Sequence, residues 1–250
     1  MTKPFRISLI ILIITTSGCA SLDSSPKKEN LAKFSSAFIV PLEYAPFGID
    51  PTFKYVTPVI PVPVLPATQI ASGLSVVSVL MQLPDALKRS EAIARALEQD
   101  MSAKSPWQPT LKLANDAADI LKSKGMPVIV AAKPLKLSSY SNQAINAWYN
   151  NDRATTDFTG LSSAHSPYAL EILQGSSVSN GSLMLELRMK LIDPTTGEVI
   201  GRRRDYELAD LPAAELVFKD NGQIYKDVFL ATGHKLMQKS LDYLGLIMKE

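Results

Sequence analysis

The sequence is poor in the residues that build disulfide frameworks, metal centres and phosphate-binding loops. It has one cysteine and two histidines among 250 residues, so neither an internal disulfide nor a multi-cysteine metal site is available. His165 and His234 are distant in sequence, and His234 has no carboxylate or histidine at helical spacing. Glycine-rich nucleotide-binding motifs are also absent. We therefore predict no metal, no other cofactor and no catalytic constellation.

After its first 18 residues, the chain also has no excess of either positive or negative charge. The whole sequence has 26 basic and 24 acidic residues, and Lys3 and Arg6 account for the difference. A nucleic-acid partner needs a basic surface, so none is predicted. The only basic cluster is Arg202 to Arg204, where alternation on a strand turns Arg203 away from its two neighbours. This pattern predicts a solvated charged surface.

The N-terminal residues follow the order of a bacterial export signal. Lys3 and Arg6 precede an apolar run over residues 7–14, which spans only about 12 Å as a helix against roughly 30 Å for a bilayer core. The run therefore predicts a signal peptide rather than a membrane-spanning helix. It is followed by Thr16-Ser17-Gly18-Cys19, which resembles the lipobox of bacterial lipoproteins, with Thr16 in place of the usual aliphatic residue.

The lipobox resemblance implies a lipid anchor at Cys19. In that class of protein the bond between Gly18 and Cys19 is cleaved, the cysteine thiol carries diacylglycerol, and the new amino terminus is acylated. Ala20 stands where an aspartate favours retention in the inner membrane, so the resemblance implies an outer-membrane protein that faces the periplasm. We expect residues 1–18 to be removed and residues 19–33 to form a lipidated, flexible tether. The alternative is a buried core cysteine in an uncleaved helix.

A proline-rich apolar segment follows over residues 34–83. Seven prolines lie between Pro41 and Pro66, which favours extended backbone over a central strand. Residues 67–83 carry no charge, and two interpretations stay open: a buried helix, or an apolar surface over 56–83 for a partner or membrane. The candidate surface residues are Val56, Val59, Ile60, Val62, Val64 and Leu65.

Residues 84–250 show the periodicities of an α/β domain. Helical spacing predicts one helix after Asp85 and a second that Thr110 caps and Gly125 ends, followed by a doubly buried strand over 127–132. A short helix is expected around 142–149, a strand over 168–173 and a loop over 175–182. A long helix is predicted over 224–248.

The clearest strand runs from Leu183 to Ile192. Apolar side chains alternate with Glu186, Arg188 and Lys190, which predicts a sheet with one wet face. A tight turn over 193–198 returns the chain as a hairpin partner over 199–208. Residues 170–248 thereby resemble the α/β domains of envelope accessory lipoproteins, of the curli-secretion type and the N-terminal domain of TolB.

The predicted fold class is α+β or α/β. We expect a small mixed sheet with a C-terminal β-hairpin, helices packed on one face and a long C-terminal helix, with residues 34–250 forming one folded unit. The first functional hypothesis is a lipid-anchored, non-enzymatic accessory or assembly component that binds another envelope protein. Two alternatives remain: a carrier of an apolar, lipid-like ligand, and an enzyme with dispersed catalytic residues.

Overall fold

The computed structural model describes residues 22–43, 47–49, 86–154, 156, 158, 168–179 and 181–247. The strands are β1 (Ala37–Pro41), β2 (Gly48–Ile49), β3 (Val128–Val130), β4 (Tyr168–Ser179), β5 (Ser182–Asp193) and β6 (Glu198–Asp210). The helices are α1 (Lys28–Leu31), α2 (Ala86–Met101), α3 (Pro109–Ser123), α4 (Asn142–Asn150), α5 (Ala214–Val217) and α6 (Lys219–Tyr243). The mixed sheet, the C-terminal hairpin and the long C-terminal helix confirm the predicted fold class.

The sheet joins a parallel half to an antiparallel half at β4. Its strand order is β3-β1-β4-β5-β6, and β2 pairs with the far end of β4. β1 is parallel to both β3 and β4, whereas β4, β5 and β6 form an antiparallel meander. The β5–β6 turn has Gly197 at φ 71°, the left-handed conformation that the sequence predicts there. Among the described strands, β6 pairs with β5 alone and therefore lies at the edge of the sheet.

The inner face of the sheet carries the larger core. The alternate residues Leu183, Leu185, Leu187, Met189 and Leu191 of β5 are all buried there, as the period-two pattern predicts. The helices α2, α3 and α6 pack over them. Gly233 lets α6 approach α3 closely, because a Cβ at that position would lie 2.3 Å from Leu113 Cδ2.

The described residues cover only part of the outer face. Ile145, Trp148 and Tyr149 of α4 pack against a second cluster that includes Phe38 and Leu173. Ser141 caps α4, since its side chain accepts a hydrogen bond from the Ala144 N–H at 3.2 Å. The charged face of β5 is therefore not uniformly wet: Arg188 and Lys190 are buried, and only Glu186 remains partly exposed. The expectation of one wet face is corrected, because the alternation could not show that α4 crosses it.

Three local expectations differ from the structure. β3 is an edge strand with Ile129 48% exposed, not a strand buried on both faces, because only β1 pairs with it among the described residues. β4 continues through the expected loop as far as Ser179. The cap of α3 is Gln108 rather than Thr110, which lies buried in the first turn.

The long helix α6 contains an irregular start. Asp220, Asn221 and Gly222 have φ of 52°, 59° and 68°, so the regular helix begins after them. The side-chain amide of Asn221 donates to the Asp100 carbonyl at the end of α2, at 3.2 Å, which stabilises the unusual backbone. Across the described ranges, the helices are all too short or too polar to cross a membrane.

Candidate interaction surface and N-terminal segment

The site residues predicted from sequence lie outside the described residues. This applies to Gly18 and Cys19 of the lipid anchor, and to the apolar surface formed by Val56, Val59, Ile60, Val62, Val64 and Leu65. The anchor and the apolar surface therefore stay predictions. The described residues begin at residue 22, shortly after the predicted anchor, and they show which surfaces no other described residue covers.

The first described residues dock onto the edge of the sheet. Asp23 accepts hydrogen bonds from the Tyr149 hydroxyl at 2.7 Å, Arg203 Nη1 at 3.0 Å and the Arg204 N–H at 3.0 Å. Ser24 and Arg202 exchange two backbone hydrogen bonds of 2.9 and 2.8 Å. The expectation of a flexible tether is wrong for residues 22–33, because the carboxylate of Asp23 meets donors on both sides of β6.

The rest of this N-terminal segment, residues 22–34, continues over the inner core. Pro26 is buried against Gly201, where a Cβ would lie 2.7 Å from Pro26 Cγ. The Ser25 hydroxyl donates to the Tyr243 carbonyl at 3.2 Å. Phe34 stacks on Tyr168 with ring centroids 5.7 Å apart. The N-terminal segment thus packs on the folded domain near its beginning and at its end, while its middle is exposed.

The three consecutive arginines have three different environments. Arg203 faces away from the other two, as predicted, and pairs with Asp205 at 2.6 Å while its guanidinium lies 4.2 Å from the Tyr243 ring centroid. Arg202 is buried, and only Arg204 is exposed. The prediction of a solvated basic surface is therefore wrong for two of the three, since the N-terminal segment and α4 cover them.

Asp205 is the anionic centre on the inner side of this cluster. Burial alone would raise its pKa, but hydrogen bonds from Arg203, Lys239 and Ser240 outweigh burial and hold the pKa below the ordinary value. Asp205 thus stays ionised and joins β6 to the end of α6. Asp23 extends the same charge network to the N-terminal segment.

A second charged row lies beneath α4. Glu171 of β4, Lys190 of β5 and Arg202 of β6 are directly opposite one another across three strands. Trp148 Nε1 donates to Glu171 Oε2 at 2.8 Å, and the Thr156 hydroxyl donates to the other carboxylate oxygen. Lys190 Nζ donates to the Trp148 carbonyl at 2.9 Å and lies 5.2 Å from the Trp148 ring centroid.

The titration of this row is displaced by its burial. Burial lowers the pKa of Lys190 to about 8, although the Glu171 carboxylate opposes the shift. Burial likewise raises the pKa of Glu171, against the hydrogen bond from Thr156 and the charge of Lys190. Both groups form their hydrogen bonds with α4 and the loop that follows it, which indicates a role in positioning that helix.

The part of the outer face that no other described residue covers carries three exposed apolar side chains. Met184 is 45% exposed, Tyr206 68% and Leu208 65%. Met184 lies opposite Leu208, and Glu186 lies opposite Tyr206, so these side chains share the outer face at the edge of the sheet. We call Met184, Tyr206 and Leu208 the open patch. Contiguous apolar side chains at a sheet edge are typical of interaction sites.

A cleft of about 360 Å³ lies where β1 ends and α3 begins. Its lining is mixed, with Trp107 and two prolines beside the polar groups Glu43, Ser102, Gln108 and Thr110. Among the described residues, no hydrogen-bond partner reaches the buried hydroxyl of Thr110. The Glu43 carboxylate accepts a hydrogen bond from the Tyr140 hydroxyl.

His234 has a partner that its own helix could not supply. Its Nδ1 lies 2.8 Å from Asp116 Oδ1 of α3, so Asp116 joins two helices rather than facing solvent alone. The described ranges contain no group of three or more His, Cys, Asp or Glu residues that could hold a metal ion.

These features define a mixed α+β domain with a docked N-terminal segment and an open sheet edge. No family model and no curated protein matches the chain. Among solved structures, it is similar to the PelC dodecamer from Paraburkholderia phytofirmans, with 12% identity and a TM-score of 0.36 over 89% of this chain and 96% of that one. Protein XCC0632 from Xanthomonas campestris gives 10% identity and a TM-score of 0.39 over 88% and 90%.

A third similar structure is described as a candidate lipoprotein from Caulobacter crescentus. It is 13% identical with a TM-score of 0.28, over 60% of this chain and 97% of that chain. Likenesses at these scores are too weak to carry an argument about function. The functional conclusion therefore depends on this chain's own residues.

Proposed function

We propose that this chain is a lipid-anchored lipoprotein of the bacterial envelope that faces the periplasm and binds another envelope protein without catalysing a reaction. The observation that carries the proposal is the position of the docked N-terminal segment. Asp23 is bonded to three donors on the folded domain, and it lies only four residues after Cys19. The first described contacts with the folded domain therefore lie close to the predicted attachment point.

This arrangement is compatible with cleavage before Cys19, since the described contacts of the domain all involve residues that follow the cleaved bond. Four extended residues reach at most about 14 Å, so an acylated Cys19 would hold the domain close to the bilayer surface. Two or three acyl chains are sufficient for stable anchoring. The outer membrane is the proposed location, on the ground that Ala20 follows the cysteine.

The anchor is tested by comparing the native chain with Cys19→Ala, with Ser21→Ala as the matched control. Cells are labelled with radioactive palmitate, membranes are separated on a density gradient, and the purified chains are weighed by mass spectrometry. We expect label, outer-membrane location and loss of residues 1–18 for the native chain and the control. Cys19→Ala should be unlabelled and should retain residues 1–18. A native chain that is unlabelled, or that keeps those residues, contradicts the proposal.

The binding role is proposed to use the apolar stretch from Val56 to Leu65. Its prolines reduce the number of backbone donors and restrict the chain before binding, which lowers the entropy cost of docking. The test replaces Val59, Ile60 and Val62 by serine and compares chemical cross-linking in intact cells. A second variant, in which threonine replaces the two valines and leucine replaces the isoleucine, keeps the bulk of the side chains and serves as the control. Loss of a cross-linked envelope protein from the serine variant alone is expected, and an unchanged set of cross-linked proteins contradicts this role.

A further inference from the structure

The open patch lies next to the point where the N-terminal segment docks. The Arg204 N–H donates to Asp23 at 3.0 Å, and Tyr206 and Leu208 follow Arg204 on the same side of β6. Because a strand advances about 3.4 Å per residue, Tyr206 lies about 7 Å along β6 from Arg204, and Leu208 lies about 14 Å from it. The exposed side chains of β6 are therefore neighbours of the residue that receives Asp23.

The same docking point limits how far the open patch can be from the predicted lipid. Cys19 precedes Asp23 by four residues, and a chain of that length reaches at most about 14 Å. Leu22, which lies between them, is 51% exposed. Acyl chains on Cys19 would therefore enter the bilayer close to the edge of the sheet that carries the patch. The bilayer is thus the apolar phase that the anchor brings nearest to these side chains.

The chemistry of the open patch suits the interface between water and lipid. A tyrosine has an apolar ring and a polar hydroxyl, and this residue type is enriched at the level of the lipid headgroups. The carboxylate of Glu186, which lies opposite Tyr206, accepts hydrogen bonds from both Arg188 and Arg204, so the charge beside the patch is compensated. The exposed Asp210 ends β6 and limits the apolar surface on the other side.

We propose that the open patch rests on the headgroup region of the bilayer that holds the acylated Cys19, and that it orients the domain with the β6 edge toward the membrane. This inference depends on the lipid anchor of the proposed function. Three side chains bury too little apolar area to hold a protein on a membrane by themselves. The anchor makes their contact with lipid intramolecular, which raises the effective lipid concentration at the patch. The acyl chains retain the domain, and the patch sets its orientation.

Single fluorescent labels test which edge of the sheet meets the lipid. The chain has one cysteine, whose sulfur the lipid blocks, so Leu208→Cys and Ile129→Cys each introduce a single free thiol. Ile129 is the matched control, because it is an exposed apolar residue of β3, four strand spacings or about 19 Å from β6. Each full-length lipidated variant is labelled with nitrobenzoxadiazole and reconstituted into vesicles of phosphatidylethanolamine and phosphatidylglycerol. One set of vesicles also contains a lipid with a nitroxide near its carbonyl.

We expect the nitroxide lipid to quench the label at residue 208 by about twofold or more and to leave the label at residue 129 unchanged, because interfacial side chains lie at the depth of the nitroxide. Flotation of the same vesicles reports the anchor. A chain that floats with both labels quenched equally overturns this inference alone, whereas a chain that does not float contradicts the anchor as well. A blue shift at residue 208 without quenching also overturns the inference, because a protein then covers the patch.

A second measurement tests the side chains of the patch with the label placed beside them, at Asp210→Cys. One labelled chain also carries Tyr206→Ser and Leu208→Ser, and its matched control carries Tyr206→Phe and Leu208→Ile. Both side chains are exposed, so either pair of substitutions should preserve the fold. We expect the serine variant to float with the vesicles but to lose quenching of the label at residue 210, and the control to keep it. Equal quenching of the two variants would contradict a membrane contact made by the patch.

Discussion

Removal of the Asp23 carboxylate tests how firmly the N-terminal segment is docked. Asp23→Ala deletes the acceptor for Tyr149, Arg203 and Arg204, of which Arg203 is a cation with only 19% of its side chain exposed. Hydrogen bonds to charged groups contribute about 1.5–3 kcal/mol each. Arg203 keeps its bonds to Asp205, so the losses are not additive, and we expect the free energy of unfolding to fall by about 2–4 kcal/mol.

The expected change is large enough to measure by thermal unfolding. For a chain of this size, 1 kcal/mol corresponds to about 2–4 °C, so Asp23→Ala should lower Tm by roughly 4–16 °C. Asp23→Asn retains an acceptor for the Arg204 amide. Its Tm should therefore lie between those of Asp23→Ala and the native chain. Limited trypsin digestion should cut the Asp23→Ala variant faster after Lys27, Lys28 and Lys33, because release of the segment exposes its backbone.

Glu29→Gln is the matched control, since Glu29 is an exposed acid in the same segment. It should change the free energy of unfolding by no more than about 0.5 kcal/mol. If Asp23→Ala behaves like Glu29→Gln in both unfolding and digestion, the docking contacts contribute nothing measurable. The N-terminal segment could then no longer be counted as part of the folded domain.

Three further predictions concern the core. Gly233→Ala should lower the unfolding free energy by about 1–3 kcal/mol, measured in urea, because its Cβ would overlap Leu113; Leu113→Ala combined with it should cost less than the sum. Gln174→Met should raise stability by about 1 kcal/mol in the same assay, because no described residue satisfies either buried amide atom. Burial lowers the pKa of Lys190 to about 8 from an ordinary 10.5, so the unfolded state binds more protons between those values. The unfolding free energy of the native chain should therefore rise with pH from about 8 to 10.5, and a Lys190→Met chain should lack that rise.

The hairpin was predictable because its information is local. The alternation over β5 identifies which residues are buried, and Gly197 marks the turn, so neither required knowledge of distant contacts. The positions of helices α3 and α4 were predictable for the same reason, although the predicted cap of α3 was wrong. The extension of β4 to Ser179 was not, because its polar residues carry strand conformation only by pairing with β5.

The candidate surfaces depend on long-range contacts and were mostly missed. The alternation that placed Glu186, Arg188 and Lys190 on one face was correct, but it could not show that α4 buries part of that face. Glu171 did carry a signal, as a lone carboxylate in the apolar sequence of β4, yet its partner across the sheet could be identified only from the strand register. The sequence around Asp23 carried no such signal, since the groups that donate to its carboxylate lie more than 120 residues away.

The contact of Ser25 with Tyr243 spans 218 residues and sets an order on folding. The surface that receives the N-terminal segment consists of β6 and the end of α6, which are made late in synthesis. A chain that emerges from a ribosome or a membrane pore with its N-terminus first must hold residues 22–34 undocked until residue 243 has emerged. Closure of so long a loop is slow, so these N-terminal residues are expected to be among the last to reach their native positions.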